Sequence, residues 1–275
     1  MIPTLIDFHI HLFPLPLYRA IWKWFDKHGW HVRYRYTAEQ TLAYLKRAGV
    51  KRAVSLNYAH KPGMARSLNH WTYDFASRNP MVIPFGTVHP GDKDYRVILK
   101  EALGTFGFKG VKLHCHVQAM RPDAPKMLRI YDAVASHGGV ILIHSGVGPS
   151  LSGYEKTTVD VSGAKFMRAA LKKFPQAKFV VPHLGANEIE PFFDLMEEFD
   201  NLWMDTTMLL AQWFKIPIPW ERIRKFYRRI LYGTDFPNIP YPYRRESRNI
   251  LSGPLTVAMK ESILGKNAAR LLKIT

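Results

Sequence analysis

Short apolar runs alternate with longer amphipathic segments along this whole chain, and this alternation constrains its fold more than any other feature. Eight of the short runs have the length and the β-branched content of buried strands. They read TLIDFHIHL, RAVSLNY, MVIPFGTVHP, GFKGVKLHCH, GGVILIHSG, AKFVVPHLG, NLWMDTT and RILYGTDFP. The segments between them space apolar residues as one helix face does, for example at Leu42 and Leu45. Thr37 and Gln40 form a capping-box pattern at one helix start.

Strands that alternate with helices in this number predict a (β/α)8 barrel, the TIM barrel. A doubly wound open sheet is the alternative, but no glycine-rich dinucleotide fingerprint follows the first strand. A length of 275 residues is ordinary for one such barrel, and no linker or low-complexity tract interrupts the pattern. We therefore expect a single domain over residues 1–275.

Two segments go beyond the plain strand–helix pattern. Residues 13–36 are too long for a simple loop and are dense in aromatic and basic side chains. We expect a lid-like insertion there, or a helical decoration packed on the rim of the barrel. Residues 241–275 predict a C-terminal helical extension.

Composition excludes several classes of protein. The hydrophobic fraction of 47% is enough for a sizeable core and argues against global disorder. The single cysteine, Cys115, excludes a disulfide framework within the chain and fits a reducing compartment. No signal-peptide pattern opens the sequence, and no run approaches the roughly 20 apolar residues of a membrane span. We expect a cytoplasmic protein without a membrane partner.

The charge is strongly positive. Lysine and arginine number 39 against 22 acidic residues, a formal net charge of +17. Such a chain attracts anions, including nucleic acid, acidic lipid and carboxylate substrates. The basic residues are scattered and mixed with acids, so we expect mostly solvated surface and do not favour a nucleic-acid partner. A homo-oligomer remains open.

Histidines, one lysine and one aspartate stand where the predicted strands end, which is where barrel active sites form. They are His9 and His11 on the first strand, Lys112, His114 and His116 on the fourth, His144 on the fifth, His183 on the sixth and Asp235 on the eighth. The alternation of a strand points His9 and His11 to one side. Imidazole and carboxylate suit a borderline ion such as zinc. The pattern predicts a metal site, although a lone histidine is more often a structural residue than a ligand.

Six segments resemble motifs of the amidohydrolase superfamily, and most closely its amidohydrolase-2 branch, which holds aminocarboxymuconate-semialdehyde decarboxylase and related hydrolases. They are DFHIHLF, GFKGVKLHCHVQ, VILIHSG, VVPHLG, LYGTDFP and ILGKNAARLL, and together they span almost the whole chain. The fourth-strand segment departs from the family pattern, because Cys115 stands where a proline is frequent. The resemblance implies a TIM barrel and a metal-dependent enzyme.

The resemblance also implies roles for individual residues. His9, His11, His144 and Asp235 would bind one divalent ion, with zinc expected before manganese. Asp235 would in addition accept a proton from the metal-bound water, whose pKa such an ion lowers from 15.7 to about 7. His183 would be a catalytic residue near that water, or a ligand of a second ion.

Lys112 has three interpretations. In two-metal members of the superfamily a carboxylated lysine on the fourth strand bridges the ions, but a second ion is less expected in this branch. Lys112 would otherwise pair with a substrate carboxylate or form a salt bridge inside the barrel. His114, His116 and His89 are candidate substrate contacts.

Two further residues have open roles. Asp7 shares a strand face with His9, so it would either hold the His9 ring or serve as a buried structural carboxylate. Cys115 points away from the face that carries Lys112 and His114, and we expect an inert thiol.

The function expected first is hydrolysis, in which metal-activated water attacks a small carboxylic ester, lactone or amide. Non-oxidative decarboxylation of a carboxylated aromatic or muconate-like substrate is the alternative within the same branch. A nucleic-acid-directed phosphoesterase and a non-catalytic binding barrel are alternatives of other classes. The aromatic and basic insertion at residues 13–36 favours a planar, anionic small molecule as substrate.

Overall fold

The structure is a computed structural model and describes residues 4–274. Its eight strands follow one another in chain order within one sheet, and the β1–β2, β3–β4, β4–β5, β5–β6 and β7–β8 pairs are parallel. The strands are β1 (Leu5–Ile10), β2 (Val50–Leu56), β3 (Val82–Thr87), β4 (Gly110–His114), β5 (Val140–His144), β6 (Lys178–Val181), β7 (Leu202–Asp205) and β8 (Ile230–Leu231). The predicted fold class, a (β/α)8 barrel, is confirmed.

Helices separate each strand from the next, and the last three helices follow β8. They are α1 (Leu15–His28), α2 (Ala38–Arg47), α3 (Ala65–Ser77), α4 (Tyr95–Leu99), α5 (Pro125–Ser136), α6 (Thr158–Val161), α7 (Ala164–Lys173), α8 (Ile189–Glu198), α9 (Trp220–Phe226), α10 (Arg245–Ser252), α11 (Val257–Glu261) and α12 (Asn267–Leu272). Parallel neighbours require such crossovers, because a tight hairpin joins only antiparallel strands.

The predicted capping box opens α2. The Thr37 side chain accepts from the backbone nitrogen of Gln40 at 3.3 Å, and the Gln40 side chain accepts from the backbone nitrogen of Thr37 at 2.9 Å. Leu42 and Leu45 on the same helix are buried. The 13–36 segment contains α1, and its role as a lid stays a prediction.

The chain divides into two compact units. The first comprises Met1–Ser55, Pro80–Val82 and Met204–Thr275, and the second comprises Leu56–Asn79 and Ile83–Trp203. The single-domain expectation stays a prediction. No helix within residues 4–274 is long and apolar enough to cross a membrane.

Glu246 on α10 is a fully buried carboxyl group of the first unit. Burial raises its pKa well above the usual 4.5, and the hydroxyl of Tyr241 donates to its Oε1 at 3.3 Å. Because the pKa of Glu246 is higher in the folded protein than in the unfolded chain, its protonated form contributes stability below pH 4.5. This contribution is lost as the pH rises towards the folded-state pKa.

We therefore expect the Glu246→Gln variant to gain stability relative to the wild type as pH rises from 5 to 8. Urea unfolding midpoints of both proteins at the two pH values measure this gain. A difference that stays constant between the two pH values would contradict the assigned direction.

Candidate metal centre

Three side chains of the first unit converge on one point. His9 lies on β1, His11 follows that strand and Asp235 follows β8. One ligand atom from each lies within 4.8 Å of the other two. Oδ1 of Asp235 is 2.8 Å from Nε2 of His11 and 3.3 Å from Nε2 of His9. We call these three residues the metal triad.

Backbone hydrogen bonds fix the triad on paired segments. Phe8 donates to the carbonyl of Tyr232 at 2.8 Å, and His11 donates to the carbonyl of Phe236 at 2.8 Å. Asp235 donates to the carbonyl of His9, also at 2.8 Å, and adopts a left-handed backbone with φ of 66°. Such a conformation is uncommon outside glycine and costs roughly 1–3 kcal/mol where it is held. It turns the chain at the residue whose carboxylate completes the triad.

Asp205, at the end of β7, holds the His9 ring. Its Oδ2 lies 2.8 Å from Nδ1 of His9, and its Oδ1 accepts from the backbone nitrogen of Thr207 at 3.1 Å. An ionised carboxylate only accepts, so this contact favours the tautomer with the proton on Nδ1 and the lone pair of Nε2 facing Asp235. The sequence interpretation missed this residue, although the run NLWMDTT places an aspartate at a strand end like the others.

Two roles are predicted for Asp7, to hold the His9 ring or to serve as a buried structural carboxylate. Its hydrogen bonds fit the structural role. Its oxygens accept from the hydroxyls of Thr234 at 2.7 Å and Tyr243 at 3.0 Å, and from the backbone nitrogen of His9 at 3.2 Å. Burial raises the pKa of Asp7 to about 7, against the lowering effect of these bonds. The carboxylate that bonds to the His9 ring belongs to Asp205.

The donor set of the metal triad fits a divalent ion. Two imidazoles and one carboxylate suit zinc, manganese or iron, and three protein ligands leave coordination positions for a substrate. The ligands stand on strand ends that are fixed by backbone pairing, and the tautomer of His9 directs its lone pair towards the other two.

Four histidines of the second unit form an imidazole cluster, made of His114, His116, His144 and His183. The ring of His144 is 4.1 Å from that of His114, 4.8 Å from that of His116 and 4.6 Å from that of His183, centre to centre. Burial lowers the pKa of His116 to about 4 and that of His144 well below its usual value, and the neighbouring imidazoles add to the effect on His144. Neutral imidazoles can ligate a metal or accept hydrogen bonds. Lys112, on β4 of the same unit, is fully buried.

The other candidates have local partners within the second unit. His89 accepts at Nδ1 from the backbone nitrogen of Gly91 at 2.9 Å, so this nitrogen stabilises its own turn. Cys115 is fully buried, and burial raises the pKa of its thiol, which agrees with an inert role. The ring of Tyr58 lies 5.2 Å from that of His114.

The structure therefore assembles the predicted residues in two groups, one in each unit. The first unit brings together His9, His11 and Asp235, as the strand ends predict. Four kinds of role stay predictions. They are the metal-ligand roles of His9, His11, His144 and Asp235, the catalytic roles of Asp235 and His183, the possible second-metal roles of Lys112 and His183, and the substrate contacts through Lys112, His114, His116 and His89.

Comparisons with known proteins extend over nearly the whole chain. The family model described as amidohydrolase matches residues 6–274. No curated protein matches the sequence. An uncharacterized TIM-barrel protein from Bordetella bronchiseptica has a similar structure, with 18% identity, a TM-score of 0.77 and 98% of each chain covered.

Two decarboxylases have similar structures. One is 2,6-dihydroxybenzoate decarboxylase from Rhizobium, with 16% identity, a TM-score of 0.72 and 99% of each chain covered. The other is 5-carboxyvanillate decarboxylase from Novosphingobium aromaticivorans, complexed with manganese and 4-hydroxy-3-methoxy-5-nitrobenzoic acid. It has 16% identity and a TM-score of 0.72 over 99% of this chain and 96% of that one.

At these identities the structural similarity establishes the fold, and the family model establishes the family. The chain belongs to the amidohydrolase family.

Proposed function

We propose that this protein is a metal-dependent, non-oxidative decarboxylase of a carboxylated aromatic acid. The observation that carries the proposal is the metal triad, in a chain whose fold is shared over 99% of its length with two decarboxylases. The sequence motifs are common to hydrolases and decarboxylases of the superfamily, so they do not decide between the two reactions. The structural similarities favour the decarboxylase alternative.

The reaction balances without an oxidant. The bond between the ring and the carboxylate breaks, its electron pair stays on the ring carbon, a proton joins that carbon and carbon dioxide leaves. The site has to bind an anionic ring and supply one proton. When bound at His9, His11 and Asp235, a divalent ion supplies a Lewis acid for the anionic oxygens of the substrate.

Asp235 is the triad member best placed to carry the proton. Its side chain is 14% exposed, whereas those of His9 and His11 are 1% and 5% exposed. Its Oδ1 lies against both imidazoles, so we assign the transferred proton to Oδ2. A carboxylic acid held beside the ring carbon acts as a general acid, which typically contributes about 10²–10⁴-fold to a rate.

Manganese is the ion we propose, because two structurally similar decarboxylases carry it. Zinc, which the donor types alone favour, is the second ion to test. For Lys112, His114 and His116 we propose contacts to the carboxylate or hydroxyl groups of the substrate, since amine and imidazole N–H groups donate hydrogen bonds to such oxygens.

The test is a turnover assay on 2,6-dihydroxybenzoate and 5-carboxyvanillate, with carbon dioxide and the decarboxylated ring measured together. We expect activity with manganese, loss of activity after chelation and recovery after manganese is returned. Asp235→Asn should lower kcat about 100-fold or more. The methyl esters of the same acids serve as matched hydrolysis substrates. Ester cleavage without carbon dioxide release would overturn the proposal in favour of a hydrolase.

A further inference from the structure

We propose that Asp205 is a positioning residue of the metal centre, which fixes the tautomer of His9 and thereby sets the affinity for the metal. The inference rests on the proposed metal-dependent function and deepens it. Asp205 is not one of the three triad residues and acts through His9.

Asp205 is held rigidly. Its side chain is fully buried, and its two oxygens bond separately to the His9 ring and to the Thr207 backbone. It ends β7 in register with Leu231 of β8, and the next residue, Thr206, donates to the Leu231 carbonyl at 2.9 Å. The sheet thus fixes the backbone of Asp205, and the two hydrogen bonds hold its carboxylate against the His9 ring.

Gly233 provides the space for this pair. A Cβ at this position would lie 2.4 Å from Oγ1 of Thr207, 2.8 Å from Cβ of His9 and 3.4 Å from Cγ of Asp205. The backbone of residue 233 therefore packs directly against both members of the pair. The absence of a side chain there allows the ring and the carboxylate to meet at 2.8 Å.

The chemistry follows from the two nitrogens of imidazole. A neutral ring has one proton and one lone pair, and the bond to Asp205 places the proton on Nδ1. The lone pair then lies on Nε2, the nitrogen that faces Asp235. The negative charge of Asp205 also makes Nε2 a stronger donor. Loss of such a carboxylate partner typically weakens metal binding about 10–100-fold.

An asparagine at position 205 has nearly the same shape as aspartate. It removes both the preference for a proton on Nδ1 and the negative charge that makes Nε2 a stronger donor. Its amide nitrogen can donate to Nδ1, which favours the tautomer with the proton on Nε2, and that tautomer cannot bind a metal through Nε2. The effect on His9 is thus chemical rather than a loss of packing.

The experiment compares the Mn²⁺ affinity of the wild type, Asp205→Asn and Glu246→Gln, by electron paramagnetic resonance of free Mn²⁺. We expect the Asp205→Asn variant to bind Mn²⁺ about 10–100-fold more weakly than the wild type. Glu246→Gln is the matched control, because it also converts a buried carboxyl of the first unit to an amide without a bond to the triad. We expect it to bind like the wild type. Asp205→Glu keeps the carboxylate and should bind more tightly than Asp205→Asn.

A second readout needs neither metal nor activity. Nitrogen NMR of the metal-free protein with labelled histidine reports which ring nitrogen of His9 carries the proton. We expect Nδ1–H in the wild type and a shift towards Nε2–H in Asp205→Asn.

The outcomes separate the two proposals. Equal Mn²⁺ affinity in the wild type and in Asp205→Asn overturns the role of Asp205, and so does a wild-type His9 protonated at Nε2. Absence of Mn²⁺ binding in the wild type overturns manganese as the ion, and absence of Zn²⁺ binding as well overturns the proposed function, while the tautomer measurement still decides whether Asp205 fixes His9.

Discussion

Replacing both His9 and His11 with alanine is expected to lower bound manganese from about one ion per chain to less than about 0.1, because the variant keeps only one ligand of the triad. Catalytic turnover should fall with it, by at least about 10³-fold, since several kcal/mol of Lewis-acid stabilisation are lost. Elemental mass spectrometry after manganese loading and desalting measures the metal content.

The matched control is the double variant His31→Ala with His70→Ala. These histidines have side chains that are 78% and 49% exposed, and they lie outside the metal triad. It should retain the wild-type metal content. Full manganese occupancy in the His9 and His11 variant would show that the ion binds elsewhere.

The second large effect is on stability. Gly110 begins β4, and a Cβ there would lie 2.3 Å from the carbonyl oxygen of Val140 and 2.6 Å from the ring of Phe85. Val140 is the residue that pairs with Gly110 across the β4–β5 ladder, so relief of the overlap would separate the two strands. We expect Gly110→Ala to lower the free energy of unfolding by about 3 kcal/mol or more, and urea denaturation monitored by circular dichroism measures it.

Gly104→Ala is its control. Gly104 is exposed in a helical segment, and a Cβ there would meet nothing within 4 Å. We expect a change of less than about 1 kcal/mol, in the stabilising direction, because alanine is the better helix former. A Gly110→Ala variant as stable as Gly104→Ala would mean that β4 and β5 do not pack as described.

The local pattern predicts the elements well, because period-two and period-3.6 spacings are properties of short segments. The capping box at Thr37 and the buried Leu45 follow directly from neighbouring residues. The convergence of His9, His11 and Asp235 was also predictable, since a barrel brings the ends of its first and last strands side by side.

The partner of His9 was not predictable in the same way. Asp205 lies 196 residues further along the chain, and alternation places it at a strand end without showing which side chain it meets. Asp7 is closer in sequence and is the one carboxylate that the sequence suggests for this role, with a buried structural role as its alternative. In the structure its carboxylate bonds to the His9 backbone and to two hydroxyls, because a residue two positions away on one strand faces the next layer.

The reaction was the least predictable property. The metal-binding motifs are common to hydrolases and decarboxylases of the superfamily, so they do not distinguish water attack from loss of carbon dioxide. The side chains that select a substrate lie in loops that vary on one scaffold. The aromatic composition of the 13–36 segment, for example, suggests a planar ligand without identifying one.

The most direct test of the central claim is a crystal structure of the manganese-loaded protein with anomalous diffraction data. The account predicts one manganese peak, within coordination distance of Nε2 of His9, Nε2 of His11 and a carboxylate oxygen of Asp235. A second peak beside Lys112 would restore the two-metal alternative. A structure that holds manganese away from the triad, or leaves the triad empty at saturating manganese, would contradict the account.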